Sequence, residues 1–495
     1  MEEIGGAGMV KAAAKSAQHK EHLGSRSIGV RLSEVVGAGL RLEASAYALE
    51  ARRAVAELHA CPHQMKPLLG SLGFCQRAHN GTRFPRIYVG EAKGVPFLSS
   101  SDIIGLRPER GNFISRKHTP KLELLVIEPW MVLVSRSGTI GNVALAGPRM
   151  AGWALSEDAI RIIAPDAETA GYITAFLRSH WGRDQLRGLT YGSVIQHIEA
   201  HHLTSVEVPD LPALRRTEIG RAFVGAVLKR DEANDKLDEA GVRFCQALGL
   251  PPLPVQQGGP IVSAVRASEW SGRLEASYHN PNARWLERHL RAIGLPVLPL
   301  HSERLTTAVR AVTKFRKRVY VPHGGIPLLS SKQLFQIDPI EQKGLARGAH
   351  ESDMEEIALA TNMVAITCSG TVGRVQIIPE YMNGWAANQH ALRITAVDSE
   401  TAGYLYAWLS TPYGQALLSR YSYGSVIVEI DRFMAGEIPV PVLPADERKH
   451  IGRLVLAANR LRDEAWRMEQ TALAALRKEI SGDAASVRPK VAGRT

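Results

Sequence analysis

Four cysteines in 495 residues, Cys61, Cys75, Cys245 and Cys368, stand far apart and without paired spacing, which excludes a disulfide framework and a structural zinc site. Buried thiols acting as small hydrophobes are the expectation. No apolar run approaches the roughly 18–20 residues that a bilayer span needs, and the amino terminus carries no signal-like hydrophobic stretch. A soluble, cytoplasmic protein is expected. No Gly-x-x-x-x-Gly-Lys-Ser/Thr loop is present to cradle a nucleotide phosphate, and no acidic pair precedes a Glu-x-Lys. The 17 histidines, His201-His202 included, lack metal-ligand spacing. Neither a catalytic site nor a metal site is expected.

What is there is ordinary globular material with a basic excess. Hydrophobic residues make up 45% and charged residues 22%, so the bulk of the chain folds, and its length allows two to four domains. Lys and Arg number 60 against 49 Asp and Glu, a formal charge of +11 that favours a polyanionic partner.

An internal repeat of constant period organises the chain. Arg41-Leu42-Glu43-Ala44-Ser45 recurs 232 residues later as Arg273-Leu274-Glu275-Ala276-Ser277. At the same offset Ser137-Gly138-Thr139-Ile140-Gly141 returns as Ser369-Gly370-Thr371-Val372-Gly373, and Ala170-Gly171-Tyr172 as Ala402-Gly403-Tyr404. So do Tyr191-Gly192-Ser193-Val194-Ile195 and Tyr423-Gly424-Ser425-Val426-Ile427, Val208-Pro209 and Val440-Pro441, and Asp231-Glu232-Ala233 and Asp463-Glu464-Ala465. Between these blocks the halves diverge: Phe113 to Leu124 has no clear counterpart in Phe335 to Gly348. A scaffold is duplicated while its intervening loops differ.

Each unit reads as a compact α+β domain. Met131 to Ser135 and Ile140 to Ala146 predict a hairpin, repeated over Met363 to Ile378. Tyr172 to Leu177 and Tyr404 to Leu409 predict helices ending near Gly182 and Gly414. Trp153 and Trp385 are expected in the core.

After Pro212 a single long helix begins, with Ile219, Phe223, Ala226, Arg230, Ala233, Leu237, Ala240 and Phe244 on alternating steps of four and three. The second copy offers Ile451, Leu454, Ala458, Leu461, Ala465, Met468, Ala472 and Ala475, a seam that is not the strict equivalent of the first. Two such helices would each cover the other's apolar stripe as an antiparallel pair; the alternative folds each back on its own unit.

The fold expected is therefore two tandem α+β domains related by a pseudo-twofold, each followed by a long helix, the two helices pairing as an antiparallel coiled coil. The divisions are a loose extension over 1–30, a first domain over 31–212, a spacer over 213–250 and a Pro- and Gly-rich linker over 251–265. A second domain over 266–444, a second spacer over 445–480 and a loose tail over 481–495 follow.

In the order of these blocks, occurring twice, the chain resembles the DNA-specificity subunits of type I restriction-modification systems over roughly residues 31–480. The resemblance implies that each domain is a target-recognition domain for one half of a split double-stranded DNA site. It implies too that the helices are spacer and docking surface for methyltransferase subunits, a restriction or translocase subunit being left open. The cofactor S-adenosylmethionine is then expected on the partner methyltransferase and none on this chain. The chain lacks the Asn/Asp-Pro-Pro-aromatic motif of such a methyltransferase; Asn280-Pro281-Asn282-Ala283 does not qualify. A pseudo-symmetric protein adaptor, or a DNA reader of another phage-defence system, is the alternative.

DNA affinity comes mainly from cations on phosphates and specificity from side chains at base edges. Arg116 and Lys117 in the first unit, and Lys314, Arg316, Lys317 and Arg318 in the second, lie in divergent segments and are candidates. Arg136, Ser137 and Thr139 at one hairpin tip, and Ser369, Thr371 and Arg374 at the other, are further candidates; Arg136 faces Cys368 in the repeat. Tyr191 and Ser193, with Tyr423 and Ser425, offer donors to phosphates. Gln196 and His197, replaced by Val428 and Glu429, suit half-specific reading, as do Ser156-Glu157-Asp158 against Asn388-Gln389-His390.

Overall fold

The computed structural model describes residues 29–37, 42, 47–109, 111–192, 196–254, 262, 264–267, 272–312, 318–339 and 342–482. In the first unit Val132–Ser135 and Val143–Leu145 form the expected hairpin. It extends into a four-stranded antiparallel sheet through Ala159–Ile163 and Arg77–Asn80. In a second sheet Gly94–Leu98 pairs antiparallel with Phe113–Ser115 on one side and parallel with Ala154–Leu155 on the other. Successive side chains of a strand point to opposite faces, and both faces of Val132–Ser135 are covered. Val132 and Val134 join one apolar cluster with Tyr172 and Phe176, while Leu133 joins another with Trp153 and Leu155.

Helix α1 (Ala167–Arg178) begins at Asp166, whose carboxylate accepts the Thr169 amide at 2.7 Å. It stops before Gly182, and a second short helix, His180–Gly188, starts at once. Gly182 is therefore not the terminator that the sequence predicts. A Cβ there would lie 2.4 Å from the Phe176 carbonyl oxygen, and one at Gly414 would lie 2.2 Å from that of Trp408, so both glycines permit close approach of consecutive helices. The chain then returns along Glu207–Pro209, which pairs with Met65–Pro67, and the buried Tyr172 hydroxyl donates to the Pro209 carbonyl at 2.6 Å. Helix α2 (Ala213–Leu248) follows.

The second unit repeats the plan, with the hairpin Val364–Thr367 and Val375–Ile377, helix α3 (Ser399–Ser410), and Tyr404 donating to the Pro441 carbonyl at 2.6 Å. Helix α4 (Ala445–Ser481) closes it. The register slips where the sequences diverge. Arg77 sits opposite Ile163, whereas Ala308 sits opposite Thr395 beside an irregularity between Thr306 and Ala308.

Helices α2 and α4 run antiparallel, as Arg215 meets Glu479 at 3.2 Å near one end and Arg243 meets Glu447 at 2.8 Å near the other. At about 1.5 Å per residue each spans about 55 Å. All eight seam residues expected on α2 are buried. On α4 the buried stripe is Ile451, Val455, Ala458, Arg462, Ala465, Glu469, Ala472 and Leu476. Leu454, Leu461, Met468 and Ala475 are thus displaced from the seam, and the observed stripe is the strict 232-residue equivalent of the first. Both antiparallel pairing and packing on the domains occur. The first half of α2 lies in the core of its own unit, and Ala233 to Leu248 lie in the core of the other; Ala472, Leu476 and Ile480 of α4 enter the first unit's core.

Each long helix is also clamped to its own unit. Gly220 crosses Gly171 and Gly452 crosses Gly403 so closely that a Cβ at Gly220 or Gly452 would fall 2.0 or 2.2 Å from the carbonyl oxygen of Glu168 or Glu400. Asp231 and Asp463 each accept an amide from the start of a short turn, from Arg149 and Tyr381, both at 3.0 Å. The repeated Gly-Tyr and Asp-Glu-Ala blocks are these clamps.

Between the units, Leu106 donates to the Phe335 carbonyl and Ile337 to that of Ile104, both at 2.8 Å, a short antiparallel bridge between equivalent segments. Beside it Glu469 is buried between Arg230 of α2 at 2.7 Å and Arg178 of α1 at 2.8 Å. Burial opposes its ionisation, but the two guanidiniums outweigh that and hold its carboxyl down near about 2. Among the described residues no helix is long and apolar enough to cross a membrane, and no group of three or more His, Cys, Asp or Glu could hold a metal ion. Cys75 and Cys368 are buried, Trp153 is in the core and Trp385 is half-buried at its border.

Candidate nucleic-acid interface

Within each unit the hairpin tip and the Tyr-Gly-Ser loop meet. Ser137 and Tyr191 both bridge to His197, and Ser369 and Tyr423 both bridge to Glu429. Residues far apart in sequence thus form one corner, and the same corner is built twice. Thr139, Gln196, Thr371 and Ser425 are exposed on it, and Val426 and Ile427 extend the second corner as an exposed apolar lip. Ser193 lies outside the described residues.

The corners differ in chemistry. In the first, Glu199 gathers Arg136, Asn80 and the Tyr191 hydroxyl, the last at 2.7 Å. Burial opposes ionisation of Glu199, but the Tyr191 hydrogen bond and the Arg136 charge hold its carboxyl below its ordinary value, while the same hydrogen bond pushes the Tyr191 phenol up. Arg136 also donates to the Ile198 carbonyl at 3.1 Å. Its guanidinium is therefore turned inward, not projected from the tip as expected of a base or phosphate contact, because a carboxylate of its own unit is nearer. In the second corner Cys368 is buried, and Asp431, at the position of Glu199, caps the short helix that follows it, as Glu199 does in its own unit, accepting the Phe433 and Met434 amides at 2.8 Å. Where the first corner has His197, the second has Glu429.

Beside each corner lies a loop that the two units share in place but not in sequence, Ser156 to Asp158 and Asn388 to His390. It is held from beneath by a buried arginine. Arg161 donates to the carbonyls of Ala159 at 2.9 Å and Leu125 at 3.1 Å, and Arg393 to those of Ala391 at 3.2 Å and Ile357 at 3.0 Å. Burial pushes each guanidinium down to about 10. A cation held by carbonyl oxygens stiffens the loop from inside.

Across this loop stands an arginine, Arg86 in the first unit and Arg318 in the second. Arg86 reaches Glu157 at 3.2 Å and Arg318 reaches the Gln389 amide oxygen at 2.6 Å. Arg86 was not legible as a candidate. The signal was there, since Arg86-Ile87-Tyr88-Val89 and Arg318-Val319-Tyr320-Val321 agree at the 232-residue offset inside a divergent segment.

The exposed turn with Arg116 and Lys117 adjoins this segment, for the Ser115 amide donates to the Ile87 carbonyl at 2.8 Å. In the second unit Ala346 donates to Val319 at 2.9 Å, which places the exposed Arg347 in the same position, and Lys343 covers the Tyr320 ring at 5.2 Å. Lys314, Arg316 and Lys317 lie outside the described residues. Arg374 is exposed but leaves the corner, stacking 4.0 Å over the Phe335 ring beside the contact between units.

No protein-family model matches the chain, and no curated protein matches it. Among solved structures it is similar to the S subunit of a type I restriction-modification system from M. genitalium, at 12% identity over 84% of this chain and 98% of that one, with a TM-score of 0.30. It is similar to the HsdS subunit from Thermoanaerobacter tengcongensis at 14% identity over 83% and 95%, with a TM-score of 0.25. It is also similar, at 16% identity over 85% and 98% and a TM-score of 0.26, to a chain from a structure described as complex assembly and conformational transition of the type I R-M system.

Proposed function

We propose that this chain is a non-catalytic, sequence-specific DNA-binding subunit that reads a bipartite site in double-stranded DNA and docks methyltransferase subunits, and in a restricting system a nuclease or translocase subunit. The observation that carries the reading is the antiparallel pair α2 and α4, each helix set into the cores of both units, so that two differently edged copies of one scaffold stand at a fixed separation. A split site with two different half-sequences needs two readers and a rigid spacer. Basic side chains beside both corners supply the phosphate contacts. S-adenosylmethionine and the methyl transfer belong to the partner.

The test is methylation mapping by long-read sequencing in a host carrying this gene with a methyltransferase gene, against a deletion of this gene alone. A split methylated motif that vanishes on deletion is expected; methylation unchanged by the deletion overturns the reading. A protein adaptor would instead show binding with little dependence on salt, whereas phosphate contacts give a steep decline.

A further inference from the structure

The repeat retains one exposed motif inside segments that otherwise diverge. Arg86-Ile87-Tyr88 and Arg318-Val319-Tyr320 occupy equivalent places at the outer edge of the second sheet of each unit, where Tyr88 bridges to Ile114 and Tyr320 pairs with Leu345. The side chains flanking the arginines are left in solvent: Ile87 is 43% exposed, Tyr88 55%, Val319 37% and Tyr320 41%. An aliphatic and aromatic pair displayed twice beside cations describes a contact surface more than a solvated edge.

Each arginine is aimed by a partner on the stiffened loop. Arg86 uses only Nη2, toward Ser156 at 3.4 Å and the Glu157 carboxylate at 3.2 and 3.3 Å, and its guanidinium lies 5.5 Å over the Phe97 ring. Its Nε and Nη1 have no hydrogen-bond partner among the described residues. Glu157 is itself buried, fixed by the Ser156 hydroxyl at 3.2 Å, and so is a buttress and not a reader. In the second unit Gln389 takes that place, with its amide nitrogen 3.2 Å from His390. The planar guanidinium matches the O6 and N7 acceptors of guanine in the major groove: Nη1 offers its N–H groups and Nη2 its hydrogen turned away from the loop, and a group held from behind makes both bonds with less loss of freedom.

We propose that Arg86 and Arg318 are the equivalent base-contacting residues of the two readers, each donating to a guanine edge in its own half-site, with Glu157 and Gln389 as their positioning residues; this rests on the DNA-reading function proposed above. The change from carboxylate to amide behind the two arginines leaves the reading group the same while altering the charge around it.

The test is selection from a randomised duplex library by the full chain with its methyltransferase subunits, comparing the parent with Arg86→Ala and Arg318→Ala. Each variant should lose about 10- to 100-fold of its discrimination at one G·C position in one half-site, with the other half-site intact. Weakening that is uniform across sequences, with the salt slope smaller by about one, would make these residues phosphate contacts and overturn the proposal. An unchanged selected motif would overturn it too, while the bipartite selectivity of the parent would leave the proposed function standing. A parent that selects nothing removes both. Glu157→Ala should blur the same position as Arg86→Ala, and Glu157→Gln should restore it, as Gln389 serves in the second unit. A purely structural Glu157 would instead lower the melting temperature without changing the selected sequence.

Discussion

Helices α2 and α4 occupy equivalent places, yet one seam position holds Leu237 in α2 and Glu469 in α4. Two seam positions earlier stands an arginine in both, Arg230 and Arg462, and the two arginines fare differently. Arg230 is paired with Glu469, which Arg178 of the first unit also reaches. Arg462 has the Asn234 amide oxygen at 3.4 Å and the Tyr406 hydroxyl as side-chain partners, meets no carboxylate among the described residues, and burial pushes its pKa down. Duplication has preserved which positions are buried without preserving what is buried there. One ion network off the pseudo-twofold therefore distinguishes the two directions of the spacer.

The sharpest way to break the comparison is Glu469→Gln. It leaves Arg178 and Arg230 buried beside one another without their shared carboxylate, and urea unfolding should show a loss of about 3–5 kcal/mol. The pH dependence follows from the same group. Its folded pKa lies below the unfolded value, so its contribution is complete above about pH 4.3 and is lost as pH falls toward about 2. Acid unfolding of Glu469→Gln should lack that component.

Replacing the other arginine should have the opposite sign. Arg462→Met removes a poorly paired buried charge and should be neutral or stabilising by about 1–4 kcal/mol in the same measurement.

The clamps, by contrast, should respond alike in both units. Gly220→Ala and Gly452→Ala force a methyl group into a backbone carbonyl and should each cost about 1–3 kcal/mol or more. Unequal losses would show that one unit holds its helix less tightly. Tyr172→Phe and Tyr404→Phe each leave a buried proline carbonyl without its donor and should cost about 1–2 kcal/mol, read from thermal melts. The smallest effect is Gly241→Ala in α2, where a Cβ meets nothing within 4 Å, and helix propensity should stabilise the protein by about 0.5–1 kcal/mol.

The repeat, the hairpins, the two long helices and the first seam were legible because each rests on local pattern: identical blocks at one offset, alternation, and apolar steps of four and three. The second seam was misread for a physical reason. Apolar periodicity selects Leu454, Leu461 and Met468, and it rejects Arg462 and Glu469 because isolated buried charge is costly. The carboxylate becomes acceptable only through Arg178 and Arg230, which the fold delivers from another helix and another unit. The glycines misled similarly: Gly182 read as a helix end, and only the packing reveals a close approach. In the candidate interface, exposure and grouping were the missing information. Arg136 looked available and is held by Glu199, 63 residues on, while Arg86 looked unremarkable beside the denser basic clusters.

The sequence by itself determined that there are two copies of one α+β scaffold, where each begins its long helix, and that their loops differ, since these follow from repetition and short-range periodicity. Only the tertiary structure decided which faces of the helices meet, which arginines are neutralised inside and which are presented outside. The energy of a charge depends on groups brought within a few ångströms of it by folding, and those groups are far away along the chain.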